Sequence, residues 1–167
     1  FRLKAVAGAD WVINMWGFGT LTPYAGWAST GVPMDPARGL VLLAFCPLFA
    51  ALYPLTQLYQ VEEDRRRGDR TFASVLGPVG SLDVALVAAA IAFGLLAAGA
   101  VRAGWRLPGD GWRVVMLGVA AVMWAVVLVP WRRRAKRLSP GDHQRGMYRA
   151  LAAWAVMAVG LAAGQPM

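Results

Sequence analysis

With 167 residues, 58% of them hydrophobic and only 16% charged, the chain is too apolar to clothe a water-soluble domain of this size. Its formal net charge of +8 lies in short clusters beside long uncharged runs, so no nucleic-acid partner is expected and the basicity fits the positive-inside bias of membrane proteins. The single cysteine, Cys46, permits neither a disulfide framework nor a cysteine-rich metal site, and its apolar surroundings make it a packing residue.

Phe1-Arg2-Leu3-Lys4 is too short to be the charged region of a signal peptide, and a first residue other than Met predicts a fragment lacking its N-terminal part. A spanning helix needs roughly 20 mainly apolar residues, because each adds about 1.5 Å against a hydrocarbon core of about 30 Å. The first candidate is Trp11 to Met34, where Gly17, Gly19 and Pro23 loosen the helix or allow close packing. Gly39 to Val61 follows, with kinks expected at Pro47 and Pro54. Val84 to Val101 and Val114 to Pro130 are the third and fourth. Ala150 to Gly164 is short, and extends back through Tyr148 with Arg149 snorkelling. The expected fold is therefore all-α, a polytopic transmembrane helical bundle of about five spans.

Counting Lys and Arg by alternate connections tests the topology. One side holds Arg2, Lys4, Arg65, Arg66, Arg67, Arg70, Arg132, Arg133, Arg134, Lys136, Arg137, Arg145 and Arg149; the other holds Arg38, Arg102, Arg106 and Arg113. The division of 17 cations is 13 against 4, so loops 62–70 and 131–149 are expected to be cytoplasmic, at a cell (inner) membrane. Trp11, Trp27, Trp105, Trp112 and Trp131 fall near predicted helix ends and read as interfacial anchors with wet indole N–H groups.

The stretch leaving the second span, Gln57-Leu58-Tyr59-Gln60-Val61-Glu62-Glu63-Asp64-Arg65-Arg66-Arg67-Gly68-Asp69-Arg70-Thr71, is the most informative. On a regular helix positions 57, 60 and 64 share a face, giving two amides and a carboxylate flanked by Glu62 and Glu63. Oxygen ligands at a membrane surface, followed by guanidinium groups, suit a magnesium-bridged phosphate or diphosphate. They also suit an ordinary loop in which the three acids pair with Arg65, Arg66 and Arg67.

This stretch resembles the second aspartate-rich motif of the UbiA-type intramembrane prenyltransferases, a D-x-x-D-x-x-x-D helix end continuing into a basic, glycine-containing turn closed by Thr. The acidic positions fall on Gln57, Gln60 and Asp64, the turn on Gly68-Asp69-Arg70-Thr71, followed by Leu76-Gly77. Arg2-Leu3-Lys4 and Asp10 before Asn14, Gly17, Phe18 and Gly19 are similar to the family's fifth helix, so the match runs over helices five to nine of a nine-helix fold. The resemblance implies transfer of an isoprenoid chain from a polyprenyl diphosphate to an acceptor that the sequence does not identify, with Mg2+ held at Asp64, Gln60 and Gln57. Glu63 is a substitute ligand, Arg70, Arg2 and Lys4 meet phosphate oxygens, Tyr59 belongs to the pocket with the N-terminal helices of the same protein completing it, and Asn14 serves either the pocket or a packed interhelical hydrogen bond. Two of the three expected aspartates are glutamines, which lack the negative charge. A noncatalytic lipid- or isoprenoid-binding or assembly protein on the same scaffold is the alternative.

Three weaker signals complete the sequence. Gly160 and Gly164 have the spacing of closely packed helices, and internal packing is expected of them. The run Arg132 to Arg137 reads as a topology anchor or an attraction for anionic lipid. His143 has no second histidine to form a metal site or catalytic pair.

Overall fold

The structure, a computed structural model, describes residue 6, residues 8–106 and residues 109–163. Every regular element among these is helical: α1 (Ala9–Trp16), a π-helical turn (Gly17–Leu21), α2 (Thr22–Ala28), α3 (Pro36–Gln57), a 3-10 turn (Leu58–Gln60), α4 (Val61–Arg66), α5 (Phe72–Arg102), α6 (Gly111–Arg134), a second 3-10 turn (Ala135–Arg137) and α7 (Pro140–Ala163).

Local sequence explains the starts. Asp35 before Pro36 accepts a bond from the Arg38 amide at 2.8 Å, and Thr71 Oγ1 accepts from the Ser74 amide at 3.3 Å. At α7, Ser139 and Asp142 cap each other's backbone N–H groups at 3.2 Å each, a reciprocal capping box.

Three helical stretches are long and apolar enough to cross a membrane: Pro36–Arg66, Phe72–Arg102 and Gly111–Arg137, of 31, 31 and 27 residues. Their outward faces carry Val87, Ile91, Val122 and Val126, all more than half exposed, so the solvent these faces require is apolar. This makes the chain a membrane protein. The first predicted span is instead a run of helix interrupted by the π turn and ending at Ala28, with Thr30 to Met34 beyond it. α7 is long, but its opening turns carry Asp142, His143, Arg145 and Arg149.

α3, α5, α6 and α7 form an antiparallel ring. Gly99 of α5 lies against Ala37 and Val41 of α3, while Ala73 meets Gln57 at the other end. Phe93 packs edge-on to Trp124, Trp124 meets Trp154, and Phe45 and Phe49 of α3 close the ring on Trp154. Small residues, among them Ala44, Ala51, Ala85, Ala89, Ala92 and Ala153, fill the interior and bring the backbones close, because dispersion rather than the hydrophobic effect holds helices together in lipid.

Pro47 and Pro54 lie inside α3 without ending it. Pro54 has no N–H, so the carbonyl of Ala50 loses its helical donor; the Trp11 indole supplies one at 3.0 Å. The Trp11 ring also stacks on Phe72, centroids 4.8 Å apart. Trp11 is therefore a tie between α1, α3 and α5, not an interfacial anchor with a wet N–H. Trp131 departs from that expectation too: it is buried and donates to His143 Nδ1 at 2.9 Å. The Trp27 indole N–H is also buried, without a hydrogen-bond partner among the described residues, so a wet N–H is not found there either; Arg38 lies over the Trp27 ring, and Arg113 over Trp105 and Trp112.

Two close approaches fix how neighbouring segments meet. A Cβ on Gly19 would stand 2.9 Å from Phe49 Cβ and 3.0 Å from the α3 backbone, so the π turn lies directly on α3. A Cβ on Gly146 would stand 2.6 Å from the Trp131 ring. Gly146→Val should accordingly cost about 1–3 kcal/mol through overpacking, read as a lower midpoint in thermal unfolding of the detergent-solubilised protein. A Cβ on Gly160 would meet Met116 of α6 at an ordinary contact distance of 3.4 Å; Gly164, and with it the paired spacing, lies outside the described residues.

Burial lowers the pKa of His143, a group only 4% exposed, against the smaller opposing effects of the Ala135 backbone bond and Asp142. Its neutral ring accepts the Trp131 bond at Nδ1. Because the unfolded state takes up the proton first, stability should fall as pH drops below the ordinary histidine value of about 6.5. His143→Gln should flatten that dependence in a pH series of thermal midpoints.

Candidate functional site

The candidate residues gather where α3 leaves the bundle and α5 enters it. The 3-10 turn at Leu58–Gln60 shifts the helical phase, so the three positions expected on one face separate. Gln57 and Asp64 point inward and are buried; Gln60 is half-buried, its amide donating to the Tyr59 hydroxyl at 2.6 Å.

Gln57 uses both ends of its amide. Its Oε1 accepts from the Ala73 backbone N–H at 3.1 Å, satisfying a free donor in the first turn of α5. Its Nε2 donates to Asp10 Oδ2 at 2.8 Å. One side chain thus joins α1, α3 and α5.

Asp10 is only 4% exposed, and among the described residues its Oδ1 has no partner in hydrogen-bond geometry. One turn on, Asn14 donates to the Asp10 carbonyl at 2.7 Å and to the Tyr53 hydroxyl at 3.2 Å, an interhelical bond. Asp10, Tyr53 and Trp11 were not singled out for this cluster from sequence. The available signals were the one-turn spacing of Asp10 and Asn14 and the donor deficit left by Pro54.

Asp64 is 7% exposed. Thr71, the cap of α5, donates its hydroxyl to Asp64 Oδ2 at 3.2 Å, and Arg67 Nη2 stands 3.7 Å from Oδ1. The Asp69 amide donates to the Asp64 carbonyl at 2.9 Å, closing the turn that contains Gly68. Arg67 also reaches Glu63, at 3.5 Å. Part of the ordinary-loop reading is thus present, with Arg67 serving two acids. Glu63 and Arg70 are exposed beside this turn. Arg2 and Lys4 lie outside the described residues.

Among the described residues no three His, Cys, Asp or Glu side chains converge. A cation at Asp64 would therefore draw its remaining oxygens from the exposed Glu63, the Gln60 amide, water and a phosphate ligand, a mixture that magnesium accepts. Gln57 Oε1 is already committed to Ala73.

Next to this polar end lies an open groove of about 600 Å³ between α3 and α5. Trp11, Leu43, Pro47, Val87, Ile91 and Leu95 form its apolar walls. Asp83 lines it as well, and is held by the Arg132 guanidinium through bonds of 2.8 and 3.1 Å. Trp11 connects the two regions: its ring borders the groove, and the preceding residue is bonded to Gln57. No family model, no curated protein and no solved structure matches the chain.

Proposed function

We propose that the chain forms part of a UbiA-like intramembrane prenyltransferase, which moves an isoprenoid from a polyprenyl diphosphate to an acceptor. The observation that carries this reading is a head-and-tail arrangement: a buried carboxylate beside guanidinium groups at one end of the bundle, and an apolar groove reached past Trp11. An amphiphile with a charged head and a hydrocarbon tail matches both. In this reading α1–α2 and α7 also cross the bilayer, giving five spans, and the loops at 62–70 and 131–149 face the cytoplasm at a cell (inner) membrane.

Asp64, with Glu63 and Gln60, would hold Mg2+; bound there, the ion supplies charge neutralisation for a departing diphosphate. Arg70, with Arg2 and Lys4, would meet phosphate oxygens. Thr71 keeps the Asp64 carboxylate turned toward the α4–α5 turn. Asn14 and Tyr59 would border the head of the pocket, and the groove would exclude water from the tail.

One observation favours the noncatalytic alternative. Gln57 acts as a structural tie, so the position that would carry a metal-binding aspartate holds helices together. Membranes containing the full-length protein, given a radiolabelled polyprenyl diphosphate and a lipid extract as acceptor source, separate the readings. Consumption that requires magnesium and releases diphosphate supports the transferase. Retention of the intact label, unaffected by chelation, supports the scaffold.

A further inference from the structure

The two charged connections at this end of the bundle have different charge balances. Residues 62–70 contain Glu62, Glu63, Asp64 and Asp69 against Arg65, Arg66, Arg67 and Arg70, four of each sign. Residues 131–149 contain Arg132, Arg133, Arg134, Lys136, Arg137, Arg145 and Arg149 against Asp142 alone, seven against one. The excess of six at this corner is most of the chain's +8. Arg132 is paired with Asp83 and Arg145 with Asp142. Arg133, Arg134, Lys136, Arg137 and Arg149 are exposed and make no ion pair among the described residues.

The corner is rigidly built. Ala135 is buried in the 3-10 turn, which turns its neighbours outward; Trp131 is tied to His143 behind it, and Arg132 to Asp83 at its side. The cations begin within one turn of the end of the apolar run Val114 to Pro130, which places them at the depth of lipid phosphates. Directly below, α6 exposes Val122 and Val126, and α7 exposes Tyr148 and Leu151. A ligand for this surface combines a phosphate anion with hydrocarbon chains.

From this placement we infer that the α6–α7 corner is a binding surface for anionic phospholipid, with Arg133, Arg134, Lys136, Arg137 and Arg149 taking the headgroup and Val122, Val126 and Leu151 the acyl chains. Arginine offers paired donors to phosphate oxygens, and each cation near the surface adds to the attraction. The inference stands independently of the transferase reading.

The test is a titration of the full chain in a neutral detergent with phosphatidylglycerol and phosphatidylcholine, followed by native mass spectrometry and thermal unfolding. At low ionic strength phosphatidylglycerol should bind at least about tenfold more tightly and raise the unfolding midpoint more. The preference should shrink in about 0.5 M salt, where screening reaches only a few ångströms. A variant carrying Arg133→Gln, Arg134→Gln, Lys136→Gln and Arg137→Gln changes only exposed side chains and should bind the two lipids within about twofold of each other. A variant carrying Arg65→Gln and Arg66→Gln should retain the preference. Equal binding of both lipids by the unaltered chain, or an undiminished preference in the fourfold variant, overturns the inference. So does displacement of phosphatidylglycerol by inorganic phosphate or by a DNA oligonucleotide at equal concentration, since the site would then read phosphate without its lipid.

Discussion

Asp64→Ala in the full-length protein should lower magnesium-dependent consumption of a polyprenyl diphosphate on the order of a thousandfold, the scale seen when a charge-stabilising group is removed from a reacting centre. The carboxylate is buried, bonded by Thr71 and approached by Arg67, so its loss removes the one buried acid of this turn. Asp64→Asn preserves the Thr71 bond and the shape of the turn, which separates loss of charge from loss of folding. A thermal midpoint close to that of the unaltered protein, together with lost turnover, assigns the effect to chemistry. Full turnover in both variants removes Asp64 from the site.

The second large effect is structural. Gln57→Leu should destabilise the bundle by about 2 kcal/mol, because it strands Asp10 Oδ2 and the Ala73 N–H together. The substitution thereby takes the Gln57 donor away from a buried carboxylate. Gln57→Glu restores the acceptor for Ala73 but sets two carboxylates against each other, and should be no better at neutral pH. Denaturant unfolding followed by tryptophan fluorescence reads both, since Trp11 stacks at the same junction. An unchanged midpoint for Gln57→Leu would mean that water satisfies these groups.

Much of the architecture was legible because lipid imposes a simple rule: an uncharged run of sufficient length must be helical. The runs around Gly39 to Val61, Val84 to Val101 and Val114 to Pro130 correspond to the three membrane-length helices, each extended by the charged turns that follow or precede it. The start of α7 was harder, because Asp142, Arg145 and Arg149 share a helix with the apolar residues that follow. Positions 57, 60 and 64 could be assigned to one face only on a regular helix. The 3-10 turn after Pro54 breaks that regularity, turning Gln57 and Asp64 inward and leaving Gln60 half-buried.

The polar cluster was legible only in part. The importance of Gln57 and Asp64 was visible in their spacing, but the partner of Gln57 lies 47 residues away in Asp10. No local pattern reveals such a pairing. The Trp11 tie follows from a backbone donor missing at Pro54, a signal that becomes specific only once α1 is known to lie on α3. Interfacial placement misled for Trp11 and Trp131 for the same reason: an indole near a helix end meets either headgroups or a neighbouring helix, and the packing decides.

The most direct test of a magnesium-bridged isoprenoid diphosphate site is the affinity of the full-length protein for geranylgeranyl S-thiolodiphosphate, a nonhydrolysable head-and-tail probe, with and without magnesium. The account predicts that magnesium tightens binding by about tenfold or more, equivalent to about 1.4 kcal/mol, and that Asp64→Ala loses that increment while keeping the metal-independent binding of the tail. Binding of equal strength in magnesium and in chelator, unchanged by Asp64→Ala, would contradict it.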